Sequence, residues 1–278
     1  MISKELIKKL FIQELIKTNN LMSDDVKRHL ESYDGRFSSI LKENCIIAGE
    51  KGLPLCQDTG MVEIFAYVGT KTIIHEPLQN ILDEAVKETY ISNPYRYSTV
   101  ADPLFDRKNQ KNNTPCIVHT ELTDGDSITL KYIVKGGGSE NLSALFMLKP
   151  SAGPEEVIST VLTHIENNGA RGCPPLNIGI GLGGTSDKAM VMAKLCLTEP
   201  FEKRNPDPRY ADLEMTILSK INDLKIGYQG LGQGISAYSV HIKECPTHIA
   251  TLPLAIAADC YLSRKGSLCI GGGQNDQA

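Results

Sequence analysis

The sequence predicts an α+β fold, in which helices and small β-sheets follow one another in irregular order. Three observations support this prediction. Helical periodicity dominates residues 3–47, segments of strand-like alternation lie between residues 61 and 135, and no regular β–α–β array runs through the chain. The length of 278 residues suits one large domain or two lobes, and no internal repeat is visible.

The first half of the chain supplies both kinds of element. Residues 3–17 carry apolar side chains at i, i+3 and i+4 spacing behind Ser3, a plausible N-cap, and the helical pattern continues with breaks through Ile47. A further helix is predicted from about Leu78 to Tyr90. Strands are predicted at 61–68, 115–122 and 127–135. The turn residues between the last two strands predict that these strands form a hairpin.

The second half predicts three helices and a glycine-rich end. One helix begins at Pro154, continues to about Asn168 and is closed by Gly169 at the C′ position. Another helix follows Thr185. Residues 200–210 carry three prolines among charged residues and predict a surface connection before a helix at about 210–223. From residue 228 onward, glycine-rich turns alternate with apolar segments.

Composition restricts the class of protein and of partner. The net charge of −4 and the pI near 5.9 provide no broad positive field, which argues against nucleic acid or an anionic membrane surface as the main partner. The start of the chain has no uninterrupted apolar region typical of a secretory signal. No apolar run approaches the roughly 18 residues of a membrane span. We therefore expect a cytoplasmic protein that acts on a small molecule.

Eight cysteines are many for a cytosolic chain, where surplus thiols more often bind metal or do chemistry than form disulfides. No C-x-x-C pair is present, which excludes the local zinc and redox motifs. Three cysteines lie in apolar patterns and are predicted to be core residues: Cys45, Cys116 and Cys196. Five lie near proline, glycine or polar residues, where a loop would present the sulfur: Cys56, Cys173, Cys245, Cys260 and Cys269. Spacing alone does not choose metal ligands among them.

Two glycine-rich segments have a structural and a functional interpretation. Gly179, Gly181 and Gly184 satisfy G-x-G-x-x-G formally, which makes a nucleotide-binding oxidoreductase the rival hypothesis. A dinucleotide-binding unit would need a second strand ending in an acidic residue about 20 residues later, and residues 198–208 (TEPFEKRNPDP) are no strand. The segment 135–141 (KGGGSEN) is either a flexible turn or a close backbone approach to a ligand, and its spacing does not decide between them.

Two further side chains are candidate site residues, although each also has an ordinary structural explanation. His248 lies in a loop-like segment before an apolar strand, and a lone histidine is more often a hydrogen-bonded structural residue than a catalyst. Arg96 follows a proline turn, and the default for an arginine there is a solvated surface position.

Four segments, in chain order, resemble the signature segments of the iron–sulfur hydro-lyases. They are GLPLCQDTG (52–60), KGGGSENLSALFML (135–148), ARGCPPLNIGIGLGGTSDKAMVMAK (170–194) and GISAYSVHIKECPTHIATLPLAIAADCYLSRKG (234–266). The resemblance is to the α subunit of class I fumarate hydratase and of its relative L(+)-tartrate dehydratase. It implies that residues 1–278 form a single large catalytic domain of the Fe-S hydro-lyase α type.

The resemblance also implies a cofactor and a set of site residues. A [4Fe-4S] cluster would be held by Cys56, Cys173 and Cys260, leaving one iron without a protein ligand. The substrate-binding residues would be Gln57, Asp58, Arg96 and His248, of which Asp58 and His248 would be catalytic. One amide of Gly136 to Gly138 would also contact the substrate.

The resemblance further implies a partner and a reaction. The family's single-chain enzymes carry a second, C-terminal domain, so we expect a separate β subunit to supply the remaining active-site residues, including the base, in a hetero-oligomer. The reaction would be hydration of fumarate to (S)-malate and its reverse, because the KGGGSEN segment resembles fumarases more closely. The alternative is L(+)-tartrate dehydration to oxaloacetate.

Overall fold

The computed structural model describes residues 1–271 and confirms an α+β fold built from helices and two four-stranded sheets. Its residues group into two compact units. Among the described residues, the first unit comprises 1–22, 44–135 and 264–271, and the second comprises 23–43 and 136–263. The prediction that residues 1–278 form one catalytic domain stays a prediction, and its last seven residues lie outside the described part.

The helices agree with the predicted positions to within a few residues, except for one short helix in the segment 135–141, which was not predicted. They are α1 (Lys4–Asn20), α2 (Asp24–Ser32), α3 (Ser38–Lys51), α4 (Leu78–Ser92), α5 (Gly137–Glu140), α6 (Pro154–Asn168), α7 (Ser186–Cys196) and α8 (Pro208–Asp223), with 3₁₀ turns at Gly169–Gly172 and Tyr228–Gly230. Within residues 1–271, no helix combines the length and the apolar character needed to cross a membrane.

The first unit contains the sheet β2-β1-β3-β8, formed by Met61–Gly69 (β1), Ile117–Thr123 (β2), Ser127–Lys135 (β3) and Lys265–Gly271 (β8). The predicted hairpin of the second and third strands is wrong. β1 lies between them, parallel to β2 and antiparallel to β3. Most of β1 is buried and needs a partner on both sides, whereas β2 is mostly exposed and suits an edge.

The second unit contains the sheet β4-β7-β5-β6, formed by Ala144–Leu148 (β4), Leu176–Gly183 (β5), Ala237–Cys245 (β6) and Leu252–Asp259 (β7). β5 runs parallel to β6 and antiparallel to β7. Every residue of β5 is buried, as expected for a central strand covered on both faces. Helix α7 packs on this strand and on β7.

Local sequence signals account for the ends of several helices. Ser3 caps α1 by accepting a hydrogen bond from the Leu6 N–H, and Asp207 caps α8 by accepting one from the Arg209 N–H. The predicted C′ role of Gly169 is wrong, because its φ is −56° and the chain continues into a 3₁₀ turn. A Cβ on Gly169 would lie 3.0 Å from Ile226, so this position needs a small residue rather than a left-handed one.

Each unit has its own apolar core. In the first unit, Ile7, Phe11 and Leu15 of α1 form a fully buried stripe at i, i+4 spacing and pack with α4 and the sheet. The Phe11 ring meets the Tyr132 ring edge-on at 5.3 Å. In the second unit, buried aliphatic side chains of α6, α8 and the sheet form the core.

Candidate active site

The first group of candidate residues lies on the segment that joins α3 to β1, which we name the Cys56 loop (residues 52–60). Gly52 and Gly60 have positive φ values of 62° and 69°, which glycine adopts without strain. Between them, Cys56 is half-buried, Gln57 is exposed and Asp58 is half-buried. The three candidate side chains therefore lie on a turn that leaves each of them accessible.

Both ends of the short stretch that carries these side chains are bonded to buried residues. The Leu55 N–H donates to the Asn19 carbonyl oxygen at 2.8 Å. The Asp58 carbonyl oxygen accepts a hydrogen bond from the Arg264 guanidinium at 2.8 Å. Arg264 donates a second hydrogen bond, to Asn19 Oδ1, at 3.0 Å. Arg264 and Asn19 thus support the loop together.

Asp58 is oriented by its own loop. Its Oδ1 accepts a hydrogen bond from the Gly60 N–H at 2.9 Å, a local bond between an aspartate and the backbone two residues later. A carboxylate has two oxygens and about four acceptor sites, so it can accept several hydrogen bonds at once. Asp58 can therefore accept a hydrogen bond from a bound hydroxyl.

Thr59 joins the Cys56 loop to Arg96. The buried Thr59 hydroxyl donates to the Arg96 carbonyl oxygen at 2.9 Å and accepts from the Arg96 N–H at 3.0 Å. Tyr90 donates its hydroxyl proton to the Thr59 carbonyl oxygen at 2.5 Å. Burial raises the pKa of Tyr90, which keeps this hydroxyl a neutral donor. Arg96 itself is exposed, so the structure places its backbone beside Asp58 and leaves its guanidinium at the surface.

In the second unit, the structure brings together two of the predicted cluster ligands. Cys173 follows the 3₁₀ turn with a left-handed φ of 52° and is exposed, and Cys260 follows β7 and is half-buried. The Tyr261 N–H donates to the Cys173 carbonyl oxygen at 2.9 Å. The Ser263 N–H donates to the Cys260 carbonyl oxygen at 3.0 Å and closes a turn there. Two distant parts of the chain therefore present thiols at neighbouring turns.

The glycine-rich segment 136–138 joins the same neighbourhood through Asp259. Asp259 Oδ1 accepts a hydrogen bond from the Cys260 N–H at 2.8 Å and one from the Ser139 hydroxyl at 3.3 Å. A Cβ on Gly138 would lie 3.4 Å from the Arg171 carbonyl oxygen, so the backbone passes close to the 3₁₀ turn. The glycines thus lie close to the segments of both thiols, and which of their amides faces a ligand stays a prediction.

His248 lies in the exposed turn between β6 and β7. The Ala250 N–H donates to its Nδ1 at 3.1 Å, and the Thr251 N–H donates to its carbonyl oxygen at 2.9 Å. A neutral imidazole that accepts at Nδ1 carries its proton at Nε2. His248 can therefore act as a hydrogen-bond donor through Nε2.

The remaining cysteines occupy other surroundings. Cys116 and Cys196 are buried as predicted, and burial raises the pKa of the Cys196 thiol to about 12. Cys45 is half-buried in α3, with its sulfur 3.3 Å from Met22 Sδ. The expectation that Cys245 and Cys269 lie in loops is wrong, because they lie in β6 and β8. In a strand, the direction of each side chain is set by the alternation of the two faces of the sheet. The polar residues next to these two cysteines in the sequence do not indicate that they lie in strands.

A comparison of all eight cysteines tests whether the chain suits an iron–sulfur cluster. Three of them lie outside helices and strands and are also not buried: Cys56, Cys173 and Cys260. Thiolates are the usual protein ligands of such clusters, and loop positions let them reach a ligand. Within residues 1–271, no group of three or more His, Cys, Asp or Glu side chains is arranged around a single ion. The donor chemistry of the three cysteines fits an iron–sulfur cluster.

The glycines of the G-x-G-x-x-G match have a packing role. Gly179 and Gly181 lie inside β5, and a Cβ on either would come within 1.9 Å of the Ala193 or Ala189 carbonyl oxygen of α7. In a dinucleotide-binding motif these glycines form the turn between strand and helix. Here they allow α7 to approach the sheet.

Sequence reasoning did not identify the supporting residues. Arg264 lies within the quoted 234–266 segment and had no role assigned, and Thr59, in the quoted 52–60 segment, was expected only to turn the chain into the strand at 61–68. A weak signal for Arg264 is an arginine in a segment rich in small and apolar residues, where a buried charge needs a partner. Asn19 and Tyr90 carry no local signal, because their partners are distant in the chain.

Comparison with known proteins identifies a family. The family model described as fumarate hydratase (Fumerase) matches residues 4–268. A protein of Methanocaldococcus jannaschii with the provisional name L(+)-tartrate dehydratase subunit alpha is 39% identical over 260 residues, which cover 88% of this chain and 90% of that protein. Proteins of Escherichia coli O157:H7 and of strain K12, both named L(+)-tartrate dehydratase subunit alpha, are 32% and 31% identical over 261 residues, covering 90% of this chain and 86% of each.

Proposed function

The chain belongs to the fumarate hydratase (Fumerase) family, and on that premise we propose that it is the α subunit of an iron–sulfur hydro-lyase that interconverts fumarate and (S)-malate. The main support is the hydrogen-bonded connection of Asp58 and Arg96 through Thr59 beside a half-buried thiol. A carboxylate, an arginine and an accessible cysteine in one place suit the binding of a small hydroxy acid.

Cys56, Cys173 and Cys260 would hold the [4Fe-4S] cluster. Their support is chemical, because they are the cysteines of residues 1–271 that combine a position outside helices and strands with a side chain that is not buried. When bound, the cluster would supply a Lewis-acidic iron that helps hydroxide to leave.

The other candidate residues would bind and orient the substrate. Arg96 would pair with a substrate carboxylate, since its planar fork binds a carboxylate through two hydrogen bonds. Gln57 would bind through its amide, and Asp58 would accept a hydrogen bond from the substrate hydroxyl. His248 would donate from Nε2 to the departing or arriving oxygen. One of the amides of Gly136 to Gly138 would complete the contacts.

A separate β subunit would complete the active site and supply the base that removes the proton from carbon 3. The support for this partner is that similar proteins are named as α subunits. The exposed positions of Gln57, Arg96 and His248 suit a site that a second chain closes.

L(+)-tartrate is the second candidate substrate, and the names of the similar proteins favour it. Fumarate is supported by the KGGGSEN segment at 135–141, which resembles fumarases more closely. The two reactions differ by a hydroxyl on carbon 3, and a site that hydrogen-bonds this group rejects a substrate without it. The nucleotide-binding oxidoreductase remains a remote alternative, because packing against α7 accounts for Gly179 and Gly181.

The test is anaerobic co-production with the β chain, reconstitution with iron and sulfide, and assay with fumarate, malate and L(+)-tartrate. We expect visible iron–sulfur absorption and turnover of fumarate and malate. Turnover of tartrate alone would favour the second candidate. Absence of cluster absorption, or binding of NAD in its place, would refute the proposal.

Cysteine variants sharpen this test. Cys173→Ser should lose bound iron, and the matched control Cys269→Ser should retain it, because Cys269 is also exposed but lies in strand β8. Equal iron content in the two variants would contradict the assignment of ligands.

A further inference from the structure

We propose that Arg264 is a positioning residue that holds the Cys56 loop in the geometry needed by Cys56 and Asp58. The catalytic consequence rests on the proposed function, whereas the effect on the loop rests on geometry alone. Arg264 is 3% exposed and cannot touch a substrate at the surface, so it would act through the residues that it bonds.

The Arg264 guanidinium bonds two acceptors at once. One terminal nitrogen donates to the Asp58 carbonyl oxygen at 2.8 Å, and the other donates to Asn19 Oδ1 at 3.0 Å. The planar fork fixes the angle between these two bonds. The Asp58 backbone is thereby held at a set distance from Asn19.

Asn19 holds the other end of the stretch. Its carbonyl oxygen accepts from the Leu55 N–H at 2.8 Å, and its Nδ2 donates to the Leu15 carbonyl oxygen within α1 at 3.0 Å. Asn19 is fully buried, and α1 is a core helix, so this support is rigid. Residues 56 and 57 therefore lie between Leu55, which bonds Asn19, and Asp58, which bonds Arg264.

The third nitrogen of the Arg264 guanidinium, Nε, takes no part in holding the loop. This nitrogen is buried and has no hydrogen-bond partner among residues 1–271. A buried donor without a partner destabilises a fold. Departures from full polar satisfaction are expected where a residue serves a functional site. The two terminal nitrogens bond the loop and Asn19, and this arrangement leaves the buried Nε without a hydrogen bond.

The substitution Arg264→Lys provides the central test, because it keeps the positive charge and removes the fork. A shorter ammonium group cannot reach both Asp58 and Asn19 in the same geometry. A misplacement of about 1 Å lowers turnover by roughly 10²-fold, so we expect kcat to fall by that order in the complex with the β chain. KM should change less, because Thr59, which bonds the Arg96 backbone, is also anchored by Tyr90 and not by Arg264 alone.

A second measurement reports on the loop without turnover. In cluster-free full-length chain, we expect the Cys56 thiol to be alkylated about tenfold faster in Arg264→Lys than in the wild type, whereas Cys173 is unchanged. Mass spectrometry of the alkylated peptides gives both rates. Val86→Ala, a core truncation in α4, is the control for a general loss of stability and should leave the ratio of the two rates unchanged.

The outcomes separate this inference from the proposed function. Wild-type alkylation of Cys56 in Arg264→Lys would overturn the inference, whatever the enzyme turns over. Faster alkylation without any hydro-lyase activity in the wild-type complex would support the loop role of Arg264 and refute the proposed function. If Arg264→Lys does not fold, Asn19→Ala replaces it, because that variant removes Oδ1 and keeps the carbonyl oxygen that bonds Leu55. An unchanged Cys56 rate in Asn19→Ala would then refute the inference.

Discussion

Adding a methyl group to Gly181 tests the packing role of the glycines in β5. The ideal Cβ of Gly181→Ala lies 1.9 Å from the Ala189 carbonyl oxygen, and that of Gly179→Ala lies 1.9 Å from the Ala193 carbonyl oxygen. Both obstacles are backbone atoms of α7, which cannot move aside as a flexible side chain would. Either substitution must therefore push the helix away from the sheet.

The magnitude follows from two opposing effects. Overpacking a well-packed core typically costs about 1–3 kcal/mol, and a backbone obstacle favours the upper end. Replacing glycine by alanine restricts the unfolded chain and offsets about 0.4–1 kcal/mol of this cost. We expect each variant to lose about 2–2.6 kcal/mol of unfolding free energy. For a folding unit of this size, the loss corresponds to a fall in Tm of roughly 4–10 °C.

The assay is urea and thermal unfolding followed by circular dichroism. Gly49→Ala is the matched control, because alanine is the better helix former by up to about 1 kcal/mol at this exposed position in α3. A Cβ there would meet the flexible end of the exposed Leu21 side chain at 3.3 Å, and that side chain can move aside. We expect this control to equal or exceed the wild type in stability. Wild-type stability in Gly179→Ala and Gly181→Ala would refute the packing argument, and loss of a measured NAD affinity in these variants would revive the nucleotide hypothesis.

Three further predictions concern the loop, a buried carboxyl and the thiols. Thr59→Val should raise KM for the dicarboxylate about tenfold, or ~1.4 kcal/mol, by releasing Arg96, while Thr59→Ser keeps the hydroxyl and the wild-type KM. Burial raises the pKa of Glu214 above 4.5, so the stability of the wild type relative to Glu214→Gln should fall as pH rises above about 4.5, as measured by urea unfolding. In cluster-free chain near pH 8, iodoacetamide should modify Cys56, Cys173 and Cys260 before Cys196 and Cys116, whose thiol pKa values burial raises.

Each of these expectations has a contradicting result. An unchanged KM in Thr59→Val would mean that Arg96 does not bind the substrate or is held by other contacts. The sign for Glu214 follows because a folded-state pKa above the unfolded value makes the native state bind more protons, so stability is lost with rising pH. A slope of opposite sign would show that backbone hydrogen bonds outweigh burial there. Equal modification of all thiols would contradict the burial of Cys116 and Cys196.

Local sequence patterns were sufficient where neighbouring residues decide the structure. The stripe of α1 follows from 3.6-residue periodicity, and Ser3 marks its start through a bond to a residue three positions later. The helix that begins at Pro154 has its start as predicted, because proline and the acidic first turn act within the helix itself. It also ends at Asn168 as predicted, although Gly169 does not take the left-handed conformation on which that prediction rested. The segments with family resemblance also indicated the hydro-lyase family, which the family model confirms.

Local patterns failed where a partner is distant in the chain. The turn residues at 124–126 suggested that β2 and β3 form a hairpin. The buried strand β1 needs a neighbour on each side, however, and it lies between β2 and β3. Cys245 and Cys269 resemble loop cysteines in their neighbours but lie in strands. The support of Asp58 by Arg264, 206 residues later in the chain, has no counterpart in local sequence.

The sequence by itself determined the fold class, most helices, the strands of residues 61–135 and the family, because periodicity, capping and ordered segments are properties of neighbouring residues. Tertiary structure decided the strand order and the exposure of each cysteine. It also decided the role of Gly179 and Gly181, and the connection of Asp58 to Arg96 through Thr59. These features depend on which distant surfaces are buried together, and the free energy of that burial is a property of the whole folded unit.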